Sequence, residues 1–248
     1  MESDIYKQFY EFEKDHWWSK GMRYLCNSMI ARYHGIKTGD YILDIGCGTG
    51  EMTRSLGDIG VTFGADCSSE AIDFCKKRGI DRLVRTTAED AAFKDSSFSV
   101  VVAFCMIEHI EDDKLFLKRM NSILKHGGYL IVLTSAFQFL WSAHDDLAHH
   151  KRRYTACQVG RIMRESGFRV NKLSYVNCIL FLPILIVRLF QRCFNIQPKL
   201  EKRFLLDIVK IPNFINNALY LLLKVETILL NYIDFPFGVG IIGIGQKE

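Results

Sequence analysis

Three glycines within five residues, Gly46, Gly48 and Gly50, follow a short apolar run at 41–45 and precede a helix-compatible stretch at 51–58. The order strand, glycine-rich turn, helix restricts the chain to folds in which a parallel strand feeds a helix through a tight turn. Glycine lets the main chain adopt left-handed angles and approach a ligand closely. The turn departs from the dinucleotide fingerprint GxGxxG, which would place its third glycine at position 51; here that residue is Glu51, and the third glycine is Gly50. Asp44, two residues before the first glycine, would repel phosphate. Both departures favour a ligand with a cationic amino-acid end and no phosphates.

The same rhythm continues downstream. Strands are predicted at 61–65, 83–86, 98–105, 129–134, 168–175 and 238–245, with helices between most of them. Residues 98–105 form a nearly unbroken apolar run, as expected of a strand buried on both faces. Gly127-Gly128 is expected to end the helix before the fifth strand. This alternation predicts an α/β fold with a doubly wound, mostly parallel sheet. Residues 4–34 read as one helix stopping at His34-Gly35, so that 1–36 form a helical cap. Residues 178–235 form an apolar insertion before the last strand, and 1–248 read as a single domain.

Composition removes several classes. Apolar residues make up 49% of 248, enough for a full core, and a net charge of +4 is too small for a dedicated nucleic-acid binder. The eight cysteines include no CxxC pair and no Cys–His cluster with zinc spacing, so no metal site is expected. Reduced cysteines and an N-terminus without an apolar signal region predict a cytoplasmic protein.

Asp66 lies 22 residues past Asp44, at the end of the second predicted strand, where an acid can accept both hydroxyls of a ribose. Thr87-Ala88-Glu89-Asp90 follows the third strand, where an adenine would lie, and Phe104-Cys105-Met106 closes the floor. Through YILDIGCGTG, the acid of FGADCS, TAEDAAF with DSSFSVVVAFCMIEHI, and LKHGGYLIV, the chain resembles the class I S-adenosylmethionine-dependent methyltransferases. The resemblance is greatest to the type-11 branch that modifies small molecules, quinones, lipids and glycans. It implies a Rossmann-like seven-stranded sheet and S-adenosylmethionine as cofactor. Asp44, Gly46, Cys47 and Gly48 would then surround the methionine end, and Asp66 and Cys67 the ribose. Ala88 and Glu89 would lie beside the adenine, with Cys105 on the floor. Thr87 stands where the family often has Asp. The resemblance also lays the N-terminal helix over the cofactor, with Trp18 and Arg23 reaching it. The alternative is that Trp17 and Trp18 anchor the core and Arg23 is solvated.

Acceptor chemistry is expected after the fifth strand, where WSAHDDLAHHKRRY occupies 141–154. Histidine can take a proton near neutral pH, which nominates His149 or His150 as a base. His109, after the fourth strand, is the next candidate, or simply a helix start. Arg152, Arg153 and Tyr154 could grip an anionic acceptor group; otherwise the segment is a solvated loop capped at Thr155. The insertion pairs two apolar runs with a basic stretch, each run too short or too charged to span a bilayer. It fits an element lying on a membrane surface, a lid over the site, or a dimer face. The expected acceptor is a small molecule, lipid-linked compound or glycan. The rival readings are an NAD-linked oxidoreductase and a non-catalytic protein that kept the methyltransferase fold.

Overall fold

The computed structural model describes residues 3–35, 39–87, 93–194 and 211–248. Seven strands form one sheet: β1 (Tyr41–Ile45), β2 (Val61–Asp66), β3 (Leu83–Arg85), β4 (Phe98–Phe104), β5 (Leu124–Ser135), β6 (Phe168–Val176) and β7 (Gly240–Lys247). Their order is β3-β2-β1-β4-β5-β7-β6, and every pairing is parallel except those of β7 with β5 and β6. The order reverses between β1 and β4, which opens a crevice at the carboxyl ends of those strands.

Side-chain alternation along β4 feeds two cores. Val101 and Ala103 pack with Phe116, Leu117 and Met120 of α5 (Asp113–Ile123) and with Val159 and Met163 of α7 (Ala156–Glu165). Val100 and Val102 face Met22, Leu25 and Met29 of α2 (Trp17–Tyr33) and Leu223 and Leu230 of α9 (Asn213–Leu230). The helices α3 (Glu51–Leu56) and α4 (Ser69–Lys77) follow β1 and β2.

The apolar insertion before β7 contributes α8 (Phe181–Cys193) and α9. α9 runs beside α2 in the same direction. Trp17 N donates to Asn216 Oδ1 at 2.8 Å, Lys20 lies over the Tyr220 ring and Lys224 over the Tyr24 ring. A Cβ on Gly21 would run into Leu223, so glycine sets how closely these two helices approach. The carboxylate of buried Glu226 on α9 accepts the main-chain N–H groups of Asn177 and Cys178, tying the start of the insertion to its end.

Three local expectations change. The single helix over 4–34 is two, α1 (Ser3–Phe12) and α2, because His16 caps α2 by accepting Trp18 N at 3.3 Å while its ring stacks on Phe12. The helix before β5 ends at Ile123, and Gly127-Gly128 lies inside the strand, where the β4–β5 register slips between Phe98 and Val100. The segment read as loop contains a helical turn, α6 (Ala143–Leu147), opened by Ser142 N donating to Asp145 Oδ2 at 2.8 Å.

Candidate cofactor and acceptor site

At the end of β1 the chain turns through Gly46 at φ 77°, Gly48 at 54° and Gly50 at 88°. A Cβ on Gly46 would lie 2.6 Å from Met106 Sδ, and one on Gly50 2.8 Å from Cys75 Sγ, so these two glycines let protein pack against protein. A Cβ on Gly48 would meet nothing within 4 Å. The middle of the turn therefore borders open space. The N–H groups of Gly46 and Cys47 donate to Ala65 O at 2.7 and 3.0 Å, which locks the turn to the end of β2.

Two acids flank that opening. Asp66 accepts Gly48 N at Oδ2 (3.0 Å) and Ser68 N at Oδ1 (2.9 Å). Each oxygen keeps a lone pair, the capacity that a ribose diol needs. Asp44 is buried and accepts Thr53 Oγ1 at 2.6 Å. Burial, partly offset by that hydrogen bond and reinforced by Glu13 and Asp66, pushes Asp44 up to about 7. An uncompensated acid of this kind suits a cationic partner and opposes a phosphate.

The N-terminal helices cover the turn. Burial raises Tyr6 of α1, whose hydroxyl bonds the Ser68 side chain beside Asp66. Glu13 accepts Thr49 Oγ1 inside the turn and is raised by its own burial. Glu51, at the position where a dinucleotide fold would have its third glycine, is buried and paired with Arg78 at 2.6 Å and Arg54 at 2.5 Å. Its carboxylate thus occupies the first turn of α3, where a pyrophosphate would seek the helix N-terminus. Trp18 packs edge-on against Phe104 at the end of β4, with centroids 5.5 Å apart, and both pack against the core. Arg23 donates to Glu13 O (2.6 Å) and Lys14 O (2.9 Å), bracing the α1–α2 junction.

The remaining cofactor-side residues separate. Cys47 turns its thiol toward Cys75, 3.8 Å away, and is buried with it against Ile80. Cys67 is exposed, and its carbonyl accepts Arg85 Nε. Cys105 follows β4 at φ 47°, and burial, then Glu108, drives its thiol well above the usual range. Ala88 and Glu89 lie outside the described residues.

Beyond β4 and β5 the site is a side-chain web centred on Asp145, whose side chain is fully buried. Its Oδ1 accepts Arg153 Nε at 2.7 Å and faces His150 Nδ1 at 2.8 Å; its Oδ2 accepts Arg153 Nη2 at 2.9 Å and Ser142 N. Burial pushes this carboxyl up, but His150 and Arg153 outweigh it and hold the group well below the usual carboxylate range. Arg153 also donates to Ala136 O, so its guanidinium is spent on the loop. Tyr154 is buried, its hydroxyl 2.8 Å from Asp113 Oδ2 and 3.2 Å from Ile107 O, and it too braces the loop. Arg152 stays partly exposed over Glu111 and Asp113. His149 is exposed at φ 56°. The His109 ring stands edge-on to His150 at 4.7 Å, and burial lowers His109 to about 4, leaving it neutral. Buried Glu108 accepts Thr134 Oγ1 at 2.8 Å. Two acids at this edge escaped the sequence reading: Glu13, which had no local signal, and Asp145, hidden in the Ser142-x-x-Asp145 pattern of a helix start.

Comparisons with known proteins converge on the same edge. Residues 43–132 match the family described as a methyltransferase domain. A ubiquinone biosynthesis O-methyltransferase of Brucella anthropi is 36% identical over 99 residues, 38% of this chain and 40% of that protein. A demethylmenaquinone methyltransferase of Staphylococcus aureus is 30% identical over 110 residues, 41% of this chain and 46% of that one. The chain spans about half or less of the length of these curated relatives. Among solved structures, a chain in the complex of the Haloferax volcanii Trm112 methyltransferase activator with a methyltransferase superposes with a TM-score of 0.62 at 18% identity, covering 98% of this chain and 93% of its own. Phosphoethanolamine N-methyltransferase 2 of Haemonchus contortus, solved with S-adenosyl-L-methionine, gives 0.57 at 18% identity, covering 90% of this chain and 52% of that one. The matched stretch begins on β1 and ends on β5, so residues 43–132, with the glycine turn, both acids and the end of β4, are similar to a methyltransferase domain, set in a sheet with the fold of class I S-adenosylmethionine-dependent methyltransferases.

Proposed function

We propose that this protein transfers the methyl group of S-adenosylmethionine to a small-molecule acceptor that is lipid-linked or glycan-bearing. The observation that carries the reading is the open main chain at Gly48, set between Asp66 and a buried, cation-seeking Asp44. Asp66 would hold the ribose hydroxyls. Asp44 and Glu13 would face the ammonium end, and Trp18 with Phe104 would wall the crevice. S-adenosylmethionine brings an activated methyl group on a sulfonium with a good thioether leaving group. The protein's own task is then chiefly to align the acceptor atom with that carbon and to keep water out.

The relatives named for quinone chemistry favour an acceptor with an apolar portion. So does the surface of the insertion, where Ile186 and Phe190 on α8 and Phe214, Leu221 and Val225 on α9 are exposed. Apolar faces of this extent mark contact sites. Among the described residues no helix is long and apolar enough to cross a membrane. We read the insertion as resting on a membrane surface from the cytoplasmic side, with the whole chain acting as one catalytic unit. Calorimetry tests the core of the reading: S-adenosylhomocysteine should bind and NAD should not, and the reverse result would overturn it.

A further inference from the structure

We propose that Asp145 is the positioning residue of a His150–Asp145 pair in which His150 takes the proton from a hydroxyl acceptor; the inference rests on the methyl-transfer reading above. His150 is held on every side. Its main-chain N donates to Asp145 O at 2.9 Å, and Lys151 N donates to Glu108 O at 2.8 Å. The left-handed angle at His149 turns the chain so that His149 is exposed while the His150 side chain is 6% exposed. A residue held this way at a ligand edge is a site feature more often than a loop accident.

Asp145 has no capacity of its own left. With Arg153, Ser142 and His150 upon it, its lone pairs are filled, so it stays an anion and orients its partners. Arg153 alone would neutralise it in a two-point pair, so His150 is not needed to stabilise the loop's charge. What the contact does is fix the imidazole. An acceptor-only carboxylate opposite Nδ1 requires the proton there, which leaves the Nε2 lone pair outward, and among the described residues no hydrogen bond uses Nε2. The location is right as well. His109 touches His150 from the segment that leaves β4, and three residues earlier Met106 lies against Gly46 of the cofactor turn.

The chemistry selects the acceptor class. A neutral hydroxyl is a poor nucleophile toward a sulfonium unless its proton is removed as the bond forms. The hydroxyl proton goes to Nε2 while the oxygen lone pair bonds to the methyl carbon. The C–S electron pair stays on sulfur, and the resulting imidazolium faces Asp145 until the proton passes to solvent. The groups facing His150 are neutral His109 and buried Glu108 behind β4, His144 and Asp145 on α6, and Arg153 after it, with Arg188 of α8 beside His144.

The test incubates the whole protein and radiolabelled S-adenosylmethionine with a total lipid and metabolite extract. His150→Gln should lower label transfer roughly 10²–10⁴-fold while S-adenosylhomocysteine affinity stays within about twofold. Asp145→Asn should lower kcat far more than it alters KM and move the acid limb of the pH profile to lower pH. Should that variant fail to fold, nitrogen NMR of the wild type still decides the matter: His150 must carry its proton on Nδ1, and the labelled product must be an O-methyl compound. Wild-type transfer by His150→Gln, an Nε2–H tautomer or an N-methyl product would each overturn the pair and leave the methyltransferase reading intact. A wild-type protein that binds S-adenosylhomocysteine yet transfers no label would overturn both.

Discussion

The two halves of the carboxyl edge are built from different material. The cofactor half is mainly main chain: the Gly46 and Cys47 N–H groups on Ala65 O, the Gly48 N–H on Asp66, and two short acids. The half proposed for the acceptor is a web of long side chains, in which Asp145, Arg153, His150, Glu108 and Tyr154 reach across separate segments. A site made of backbone angles is local and survives while its surroundings change. A site made of side chains is assembled by the fold, and each member supports the others.

The contrast predicts where substitutions hurt. The largest effect should come from Asp145→Ala, which strands a buried guanidinium at Arg153 and should cost about 3–5 kcal/mol of stability. Chemical denaturation measures it, and an unchanged midpoint would mean that the web is ornamental. Asp66→Ala should act in the opposite sense, weakening S-adenosylhomocysteine by roughly 1.5–3 kcal/mol while costing less stability than Asp145→Ala. If Asp66→Ala unfolds the protein while binding to the remaining folded fraction is normal, the division fails.

A smaller effect concerns pH. Asp44 is raised to about 7, above its unfolded value of about 3.9, so the folded ligand-free protein keeps a proton that the unfolded chain releases. This contribution to stability is fully present below about 4 and is lost as pH rises through about 7. A cationic ligand favours the ionised acid, so cofactor affinity should climb toward pH 7 by at most about 1.4 kcal/mol per pH unit and level off above it. Calorimetry in buffers of different ionisation heat should detect the released proton, and Asp44→Asn should abolish that release. The smallest expected effect is at the insertion. Sedimentation with anionic vesicles should show binding worth about 1 kcal/mol per engaged Lys or Arg, weakened by salt. Protein that stays in the supernatant at low salt would make the exposed faces of α8 and α9 a lid or an oligomer contact.

The contrast also explains what could be read in advance. The positions of the strands along the chain, the insertion before β7, the glycine turn and its acids all follow from patterns within a few residues. The break before His16 does not, because apolar spacing continues through it and only the imidazole's bond to Trp18 N shows that a second helix starts there. Arg153 and Tyr154 resemble an anion grip in sequence, yet their partners are Asp145, Ala136, Ile107 and Asp113, and no local pattern reveals those. Glu13 and Asp145 went unseen for the same reason: each is an ordinary surface-type acid until tertiary structure buries it.

The pairing of α2 with α9 has a consequence during synthesis. Trp17 and Asn216 are 199 residues apart, so at about 5–20 residues per second α2 waits roughly 10–40 s on the ribosome before its partner exists. During that interval Gly21 offers a notch with no Leu223 to fill it, and one face of the nascent sheet has only half its cover. Although α2 is made long before α9, it settles only with it, and a chaperone that met this chain would find its target in Met22, Leu25 and Met29.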